Sequence, residues 1–263
     1  MKHSMKLAVV GAALVCGAMP ATAADLYEPE VIEYKDPEPA YGGWYLRGYI
    51  GMTNQRYKGL DYFRYDDPTI DVLWQDRGHF GASPLFGVGV GYQINHWLRG
   101  ELTAEYRAKS KFRALDRITG AGDPTDLRVI NDYRAKKSEL LFLANAYADL
   151  GKFYGITPYV GAGIGTARVT ISDFVDNNIL GGGGGYAGTG HKWNFAWALH
   201  AGFGVDLSDR TTLDVGYSFV HLGKGTTAMA HNFDPAQTVD NDGFKFRDIT
   251  SHDLKLGLRY KLY

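Results

Sequence analysis

The chain has 263 residues, 28 Lys+Arg against 29 Asp+Glu, 45% apolar and 14% aromatic residues and one Cys, which excludes a disordered chain and a disulfide scaffold. A formal charge of −1 supplies no basic field to neutralise phosphates, so nucleic acid is not expected as a partner. The unusual features are 34 Gly and 18 Tyr against 9 Pro.

Lys2, His3 and Lys6 precede an apolar run from Leu7 to Met19, and Ala21-Thr22-Ala23 closes it with small residues. That order is a secretory signal peptide, cleaved after Ala23 or Ala24, because the run is too short for the roughly 20 apolar residues that cross a bilayer. Val15 before Cys16 disfavours a lipoprotein signal, so the mature chain is expected to carry no cysteine and no disulfide. Loss of residues 1–23 removes two lysines and no acid, taking the formal charge from −1 to −3. Residues 24–43 form an acidic leader with six acids, one lysine and three prolines between Asp25 and Gly43, expected to be a flexible periplasmic spacer.

From Trp44 the pattern has period two, so any membrane span must be made of strands. The first strand sets Trp44, Leu46, Ile50 and Met52 against Tyr45, Arg47, Tyr49 and Thr53; the second sets Phe86, Val88, Val90, Tyr92 and Ile94 against Gly87, Gly89 and Gly91. The third alternates Leu98, Leu102, Ala104 and Tyr106 with Arg99, Glu101, Glu105 and Arg107, and the fourth alternates Leu140, Phe142, Ala144 and Ala146 with Glu139, Leu141, Leu143, Asn145 and Tyr147. The fifth strand, Pro158 to Ile171, is glycine-rich, its facing is not fixed by the alternation, and it has room for a bulge. The sixth opposes Phe195, Trp197, Leu199 and Phe203 to His200 and Asp206; the seventh opposes Leu213, Val215, Tyr217 and Phe219 to Thr212, Asp214 and Ser218; the last opposes Leu254, Leu256, Leu258, Tyr260 and Leu262 to Asp253, Lys255, Arg259 and Lys261.

Short connections (Asn95-His96, Gly151 to Gly155, Ser208 to Arg210) alternate with long polar ones (Arg56 to Phe80, Ser110 to Lys136, Asp173 to Trp193, Gly223 to Asp248). Eight strands with that asymmetry predict an all-β, antiparallel transmembrane β-barrel, residues 44–263, with short periplasmic turns and four long extracellular loops. An even strand number places both termini, and so the leader, in the periplasm. Trp44, Tyr45, Tyr92, Trp97, Trp193, Phe195, Tyr260 and Tyr263 would form interfacial girdles. The rival is a soluble sandwich or lipocalin-like barrel, whose apolar face would point inward.

Three segments then carry a resemblance: LANAYADLGKFYGITPYVGAGIGTARV (Leu143 to Val169), FAWALHAGFGVDLSDRTTLDVGYSFV (Phe195 to Val220) and HDLKLGLRYKLY (His252 to Tyr263). The sequence resembles the opacity-protein-like small outer-membrane β-barrels, porin-like surface antigens of Gram-negative bacteria. The resemblance implies the outer membrane as location, lipid and lipopolysaccharide as surroundings, and a last strand read by the barrel-insertion machinery through Leu258, Tyr260, Leu262 and Tyr263. The alternation ends on Leu262, so either Leu262 or Tyr263 occupies the terminal position of that signal.

The lumen-facing set Arg47, Arg99, Glu101, Glu105, Arg107, Glu139, Asp206, Asp214, Lys255 and Arg259 mixes both signs. Inside a small barrel these charges must pair or be solvated, giving either an internal plug or a narrow conduit. The 8 histidines show no metal-ligand spacing, and no cofactor is expected. Ser251-His252-Asp253 cannot converge as a triad, because neighbours on a strand point to opposite faces. In the first long loop Tyr62, Phe63, Tyr65 and Trp74, with Tyr57 and Phe80, are candidate contacts for a host or environmental ligand, or pack the loops together. Gly181 to Gly185 is either a mobile linker or an adaptable contact loop. The expected role is non-enzymatic, structural and surface-exposed; a small diffusion porin and a barrel-embedded lipid A or peptide hydrolase are the rivals.

Overall fold

The computed structural model describes residues 42–180 and 182–262. The expected signal peptide, the leader up to residue 41, Gly181 and Tyr263 lie outside the described residues. Alternating residues fold into eight long strands: β1 (Gly43–Arg56), β2 (Ile70–Gln93), β3 (Leu98–Gly120), β4 (Asp123–Asp149), β5 (Ile156–Asn178), β6 (Gly190–Asp206), β7 (Thr211–Thr226) and β8 (Lys245–Lys261). Each pairs antiparallel with its chain neighbours, and β1 pairs with β8 from Tyr45↔Lys261 to Arg56↔Thr250, so the sheet closes on itself. Closure leaves no strand edge facing hydrocarbon, where an unpaired N–H or C=O would go unsatisfied.

The outward face carries an apolar band: Trp44, Leu46, Ile50 and Met52 on β1, Phe86, Val88 and Val90 on β2, Phe142 on β4, and Leu254, Leu256 and Leu258 on β8 are all exposed. The membrane-spanning segments are accordingly about 10 residues each, the length a tilted strand needs. A soluble barrel would bury this face, so the inward-facing alternative is ruled out. Trp44 meets Tyr92 edge-on at 5.3 Å near one end of the band, and Trp193 stacks on Phe142 at 6.4 Å near the other. Tyr45 departs from the expected girdle. It is 2% exposed and points into the lumen.

Within the band every ladder is unbroken. The room for a bulge between Pro158 and Ile171 is not used, since both neighbouring ladders run through it without a shift. The register shifts lie outside the band, those nearest it at Thr53/Gln55, Arg107/Ser110, Arg134/Lys136 and Phe246/Ile249, and others farther out on β2 and β3. Opposite Arg134/Lys136, Asp173 takes φ 53, as a bulged residue does.

Most of the length expected as loops is strand. β4 has 27 residues and β2 has 24, so β2 to β5 continue well past the band, and β3 turns into β4 through Ala121-Gly122 rather than through a loop from Ser110 to Lys136. Three short strands complete the outer end: Gly59–Asp61 pairs with β8, Gly184–Ala187 with β5, and Ala230–Asn232 with Gly184–Ala187. Of the glycine run, Gly182, Gly183 and Gly184 hold φ of 72, 96 and 120°, a tight turn that needs glycine, and Gly184 and Gly185 are already in a strand. The described part of this segment is an ordered hairpin element.

Candidate functional site

Part of the unusual glycine and tyrosine content forms one packing device. Tyr45, Tyr49, Tyr147 and Tyr159 face Gly91, Gly87, Gly161 and Gly202 directly across their ladders, and each ring lies where the glycine has no side chain. A Cβ on Gly87 would sit 2.2 Å from the Tyr49 ring, and one on Gly91 would sit 2.1 Å from the Tyr45 ring. The lumen is thereby floored with aromatic faces, against which cations can lie.

Onto these faces the strands deliver six cations and six carboxylates: Arg47, Arg99, Arg107, Lys137, Lys255 and Arg259 with Glu101, Glu105, Glu139, Asp149, Asp214 and Asp253. Arg107 lies 2.7 Å from Glu105 and 2.6 Å from Asp253 and donates to Ser251 Oγ at 2.6 Å. Lys255 holds the other Glu105 oxygen at 2.6 Å. Arg47 bridges Glu101 (3.3 Å) and Asp214 (3.4 Å), and Arg259 reaches Asp214 at 3.2 Å. Arg99 pairs with Asp149 at 3.0 Å, its guanidinium 4.4 Å from the Tyr147 ring and 4.7 Å from that of Tyr159. Lys137 pairs with Glu139, which also accepts from Gln55 Nε2 at 3.1 Å. Balanced signs let a buried set stay ionised, since each charge finds a partner at contact distance.

Nine of the ten expected lumenal charges are in this set. Asp206 is not. It lies at the end of β6, exposed enough to be reached by water, and pairs with Lys152 in the adjoining turn at 2.7 Å while accepting from Thr212 Oγ1 at 2.8 Å. Lys137, Asp149 and Asp253 were missing from the expected set, although Asp253 shares the face of Lys255, and Lys137 shares that of Glu139 and fell just past the expected loop end.

His200 accepts or donates at both ring nitrogens, Nδ1 to Ser218 Oγ at 2.8 Å and Nε2 to Asn145 Oδ1 at 3.0 Å. This Ser-His-Asn chain was not foreseen, because its members come from three strands. The space beside it is about 20 Å³, room for one water and not for an acyl chain. As expected, Ser251 and Asp253 point inward and His252 points out, where its Nδ1 lies 2.7 Å from Tyr217 Oη.

Above the ion pairs the interior changes character. Lys137 lies 4.5 Å from the Phe80 ring, and Phe80, Phe112 and Phe246 pack at 5.1 to 5.5 Å from one another. Phe174 and Tyr62 stack on opposite sides of the next layer against Phe244, each at 4.1 Å. Tyr65 Oη donates to Tyr133 Oη (2.8 Å), which donates to Asp116 Oδ2 (2.9 Å), while Asn131 Nδ2 donates to Asp116 Oδ1 (2.8 Å). Of the candidate loop residues, Tyr62 and Tyr65 thus close this aromatic core, Trp74 packs edge-on to Tyr65 at 6.1 Å, and Phe63 is exposed.

Between this core and the short strands lies a cavity of about 170 Å³, lined by Tyr62, Tyr133, Asp176, Tyr186, Asn241 and Phe244 among others. Burial pushes the Asp116 carboxyl up to about 6. Burial, reinforced by the charges of Asp116 and Asp132, pushes Asp176 up to about 7.

Residues 9–261 match the outer membrane protein beta-barrel domain family. An uncharacterized protein of Brucella abortus is 31% identical over 99% of this chain and 99% of its own length. Outer membrane protein PagN of Salmonella typhimurium is 27% identical over 88% of this chain and 95% of that one. A Rickettsia typhi protein whose name proposes it as an adhesin is 26% identical over 82% of this chain and 87% of its own. The lipid-facing band, the closed ladder and the match across nearly the whole sequence agree: the chain belongs to the outer membrane protein beta-barrel family, an integral, surface-exposed protein of the Gram-negative outer membrane.

Proposed function

We propose that the protein is a non-conducting, non-enzymatic anchor that holds a pre-ordered platform above the membrane for contact with a partner outside the cell. The observation that carries this reading is the continuation of β2 to β5 beyond the lipid band around an aromatic core. A platform packed in this way loses little conformational freedom on contact, which favours binding by a surface rather than by a disordered loop. The adhesin name borne by the Rickettsia typhi relative supports it. Exposed Phe63, Tyr186 and Phe233 supply apolar contacts on the outer face.

Display of the full chain on a non-adherent bacterium is expected to raise attachment to cultured host cells. A barrel shortened by joining β3 to β4 near Lys109 and Lys136, and shown by gel shift to be folded and inserted, is expected to lose it. Equal attachment by both would sink the reading. Two companion measurements address the rivals. Planar-bilayer recordings of the folded barrel are expected to be silent, with openings appearing in Glu105→Ala, and lipid A incubated with the barrel is expected to release no fatty acid.

We infer further that residues 1–23 are removed on export, that the acidic leader is a periplasmic spacer, and that the insertion machinery reads Leu258, Tyr260 and Leu262, which are exposed on the lipid face, together with Tyr263. Mass spectrometry of the mature protein tests the first, with a chain beginning at Ala24 or Asp25 as the expected result.

A further inference from the structure

We propose that the cavity at the outer end of the barrel is a binding site for a small organic cation bearing an alkylammonium group, with Asp176 as its counter-ion and Tyr62, Tyr133 and Phe244 as its aromatic wall. This reading is independent of adhesion and can hold or fail without it.

The size comes first. At about 170 Å³ the cavity is smaller than the roughly 300–1,000 Å³ that takes drug-sized ligands, so its occupant is small. The charge comes next. Asp176 stands opposite Tyr133 in the β4–β5 ladder and opposite Gly185 in the ladder on its other side. Gly185 has no side chain to cover it, and a Cβ there would sit 2.5 Å from the His231 carbonyl oxygen, so the gap is built into the strand. Asp176 Oδ1 is buried with no hydrogen bond, and no ion pair involves Asp176 among the described residues. The neighbouring carboxylate, Asp116, is already satisfied by Asn131 and Tyr133. Arg64, the cation in the lining, is exposed and lies 5.8 Å from the Phe63 ring.

A half-buried carboxylate with an unpartnered buried oxygen beside aromatic faces is an arrangement that holds an organic ammonium ion, because the ring quadrupoles attract the cation and the carboxylate neutralises it. A bare divalent metal does not fit. Such ions take several oxygen ligands, and among the described residues no group of three His, Cys, Asp or Glu comes together. The raised proton affinity of Asp176, held up by burial and by Asp116 and Asp132, is what an arriving cation would reverse.

The test is calorimetric titration of cadaverine into the full barrel in detergent or nanodiscs, its fold checked by gel shift. Saturable binding is expected, weakened by about tenfold or more in Asp176→Asn, and also in Tyr62→Leu, which removes one wall of the cavity without touching the carboxylate. Pentanediol, of the same length and no charge, is expected not to bind. An ammonium group is common to free diamines and lysine side chains, and a parallel titration with doubly blocked lysine separates them: cadaverine alone binding marks a diamine site, both binding marks a site that reads the ammonium group whatever bears it. Absence of binding by both at millimolar concentration, equal affinity in Asp176→Asn, or equal binding of pentanediol would overturn the proposal.

Discussion

One strand, β4, passes through two environments with its pleat unbroken, and its outward face changes polarity between them. From Leu140 to Ala148 the outward residues are Leu140, Phe142, Ala144, Ala146 and Ala148, while Asn145 points in among charges beside Leu141, Leu143 and Tyr147; from Asn131 to Ser138 the outward residues are Asp132, Arg134, Lys136 and Ser138, while Tyr133 and Ala135 point into an aromatic core flanked by Asn131 and Lys137. The pleat decides only which residues share a face. The solvent beyond that face decides what they are, and the solvent changes from lipid to water between Leu140 and Ser138. The lower half is therefore stabilised by pairing within a polar interior and the upper by ordinary apolar burial.

The sharpest way to break this contrast is to damage each half at its centre. Arg107→Ala leaves Asp253 without its ion-pair partner and Glu105 with Lys255 alone, and is expected to cost about 3–5 kcal/mol, seen as loss of gel-shift heat resistance of the whole barrel. Phe246→Ala, at a fully buried ring, is expected to cost a similar 3–5 kcal/mol, but confined to the outer half. Limited proteolysis should then cut near Gly243 while the membrane band keeps its gel shift. Simultaneous collapse of both halves in both variants would show a single cooperative unit.

The halves should also differ in acid response. Asp116 and Asp176 titrate near 6 and 7 when folded, above the ordinary carboxylate value of 3.8. A raised carboxylate pKa means the folded state binds protons more tightly, so stability is fullest below the unfolded pKa and falls as pH rises through the folded ones. The groups facing this pair are Tyr65, Tyr133, Asn131 and Asp132, with Arg64 and His231 in the cavity lining, and none is an ion-pair partner that would offset the shift. The outer half is expected to weaken by on the order of 4 kcal/mol between pH 5 and pH 8. Trp74, packed against Tyr65 and Tyr133, reports it through urea titrations followed by fluorine NMR of fluorotryptophan. Asp116→Asn together with Asp176→Asn should flatten the dependence.

A smaller effect tests the glycine and tyrosine device. Gly87→Ala places a methyl against the Tyr49 ring and is expected to cost about 1–3 kcal/mol, with partial rescue by Tyr49→Leu. Gly48, on the lipid face with nothing near its missing Cβ, should accept alanine without loss.

The membrane half was legible because lipid enforces strict alternation, so Arg47, Glu105 and Arg259 could be assigned to one face by parity alone. What parity could not supply was distance along the axis: Asp206 has the right parity and stands in the turn region, where Lys152 reaches it. The outer half reads as loop in the sequence because its outward residues are polar and its inward ones apolar, the reverse of the pattern in the membrane band. Strand continuation through Arg113, Arg134 and Lys136 therefore looked like a break. The bulge at Asp173 then shifted parity, which hid Phe174 and Asp176 as inward residues. The cavity was out of reach for a further reason: its walls come from Tyr62, Tyr133, Asp176 and Phe244, which are neighbours only once the short strands have paired.

Two adjacent lysines give the finest test, since they differ in nothing but the face they occupy. Lys137 is fully buried, paired with Glu139 and lying over Phe80; Lys136 is exposed and meets Asp173 at 2.9 Å with both side chains about half in water. Water screens the outer pair and competes for both partners, so Lys136→Ala is expected to change stability by no more than about 0.5 kcal/mol, within reach of careful urea midpoints. Lys137→Ala leaves Glu139 charged in a closed interior, and Lys137→Met keeps the volume while removing the charge. If the partition of the strand into two solvents is right, the methionine variant should still weaken the lower half, by stranding Glu139, while being nearly neutral for the aromatic layer it touches. Adding Glu139→Gln to Lys137→Met should restore most of the loss, a rescue that a purely steric role for Lys137 would not give.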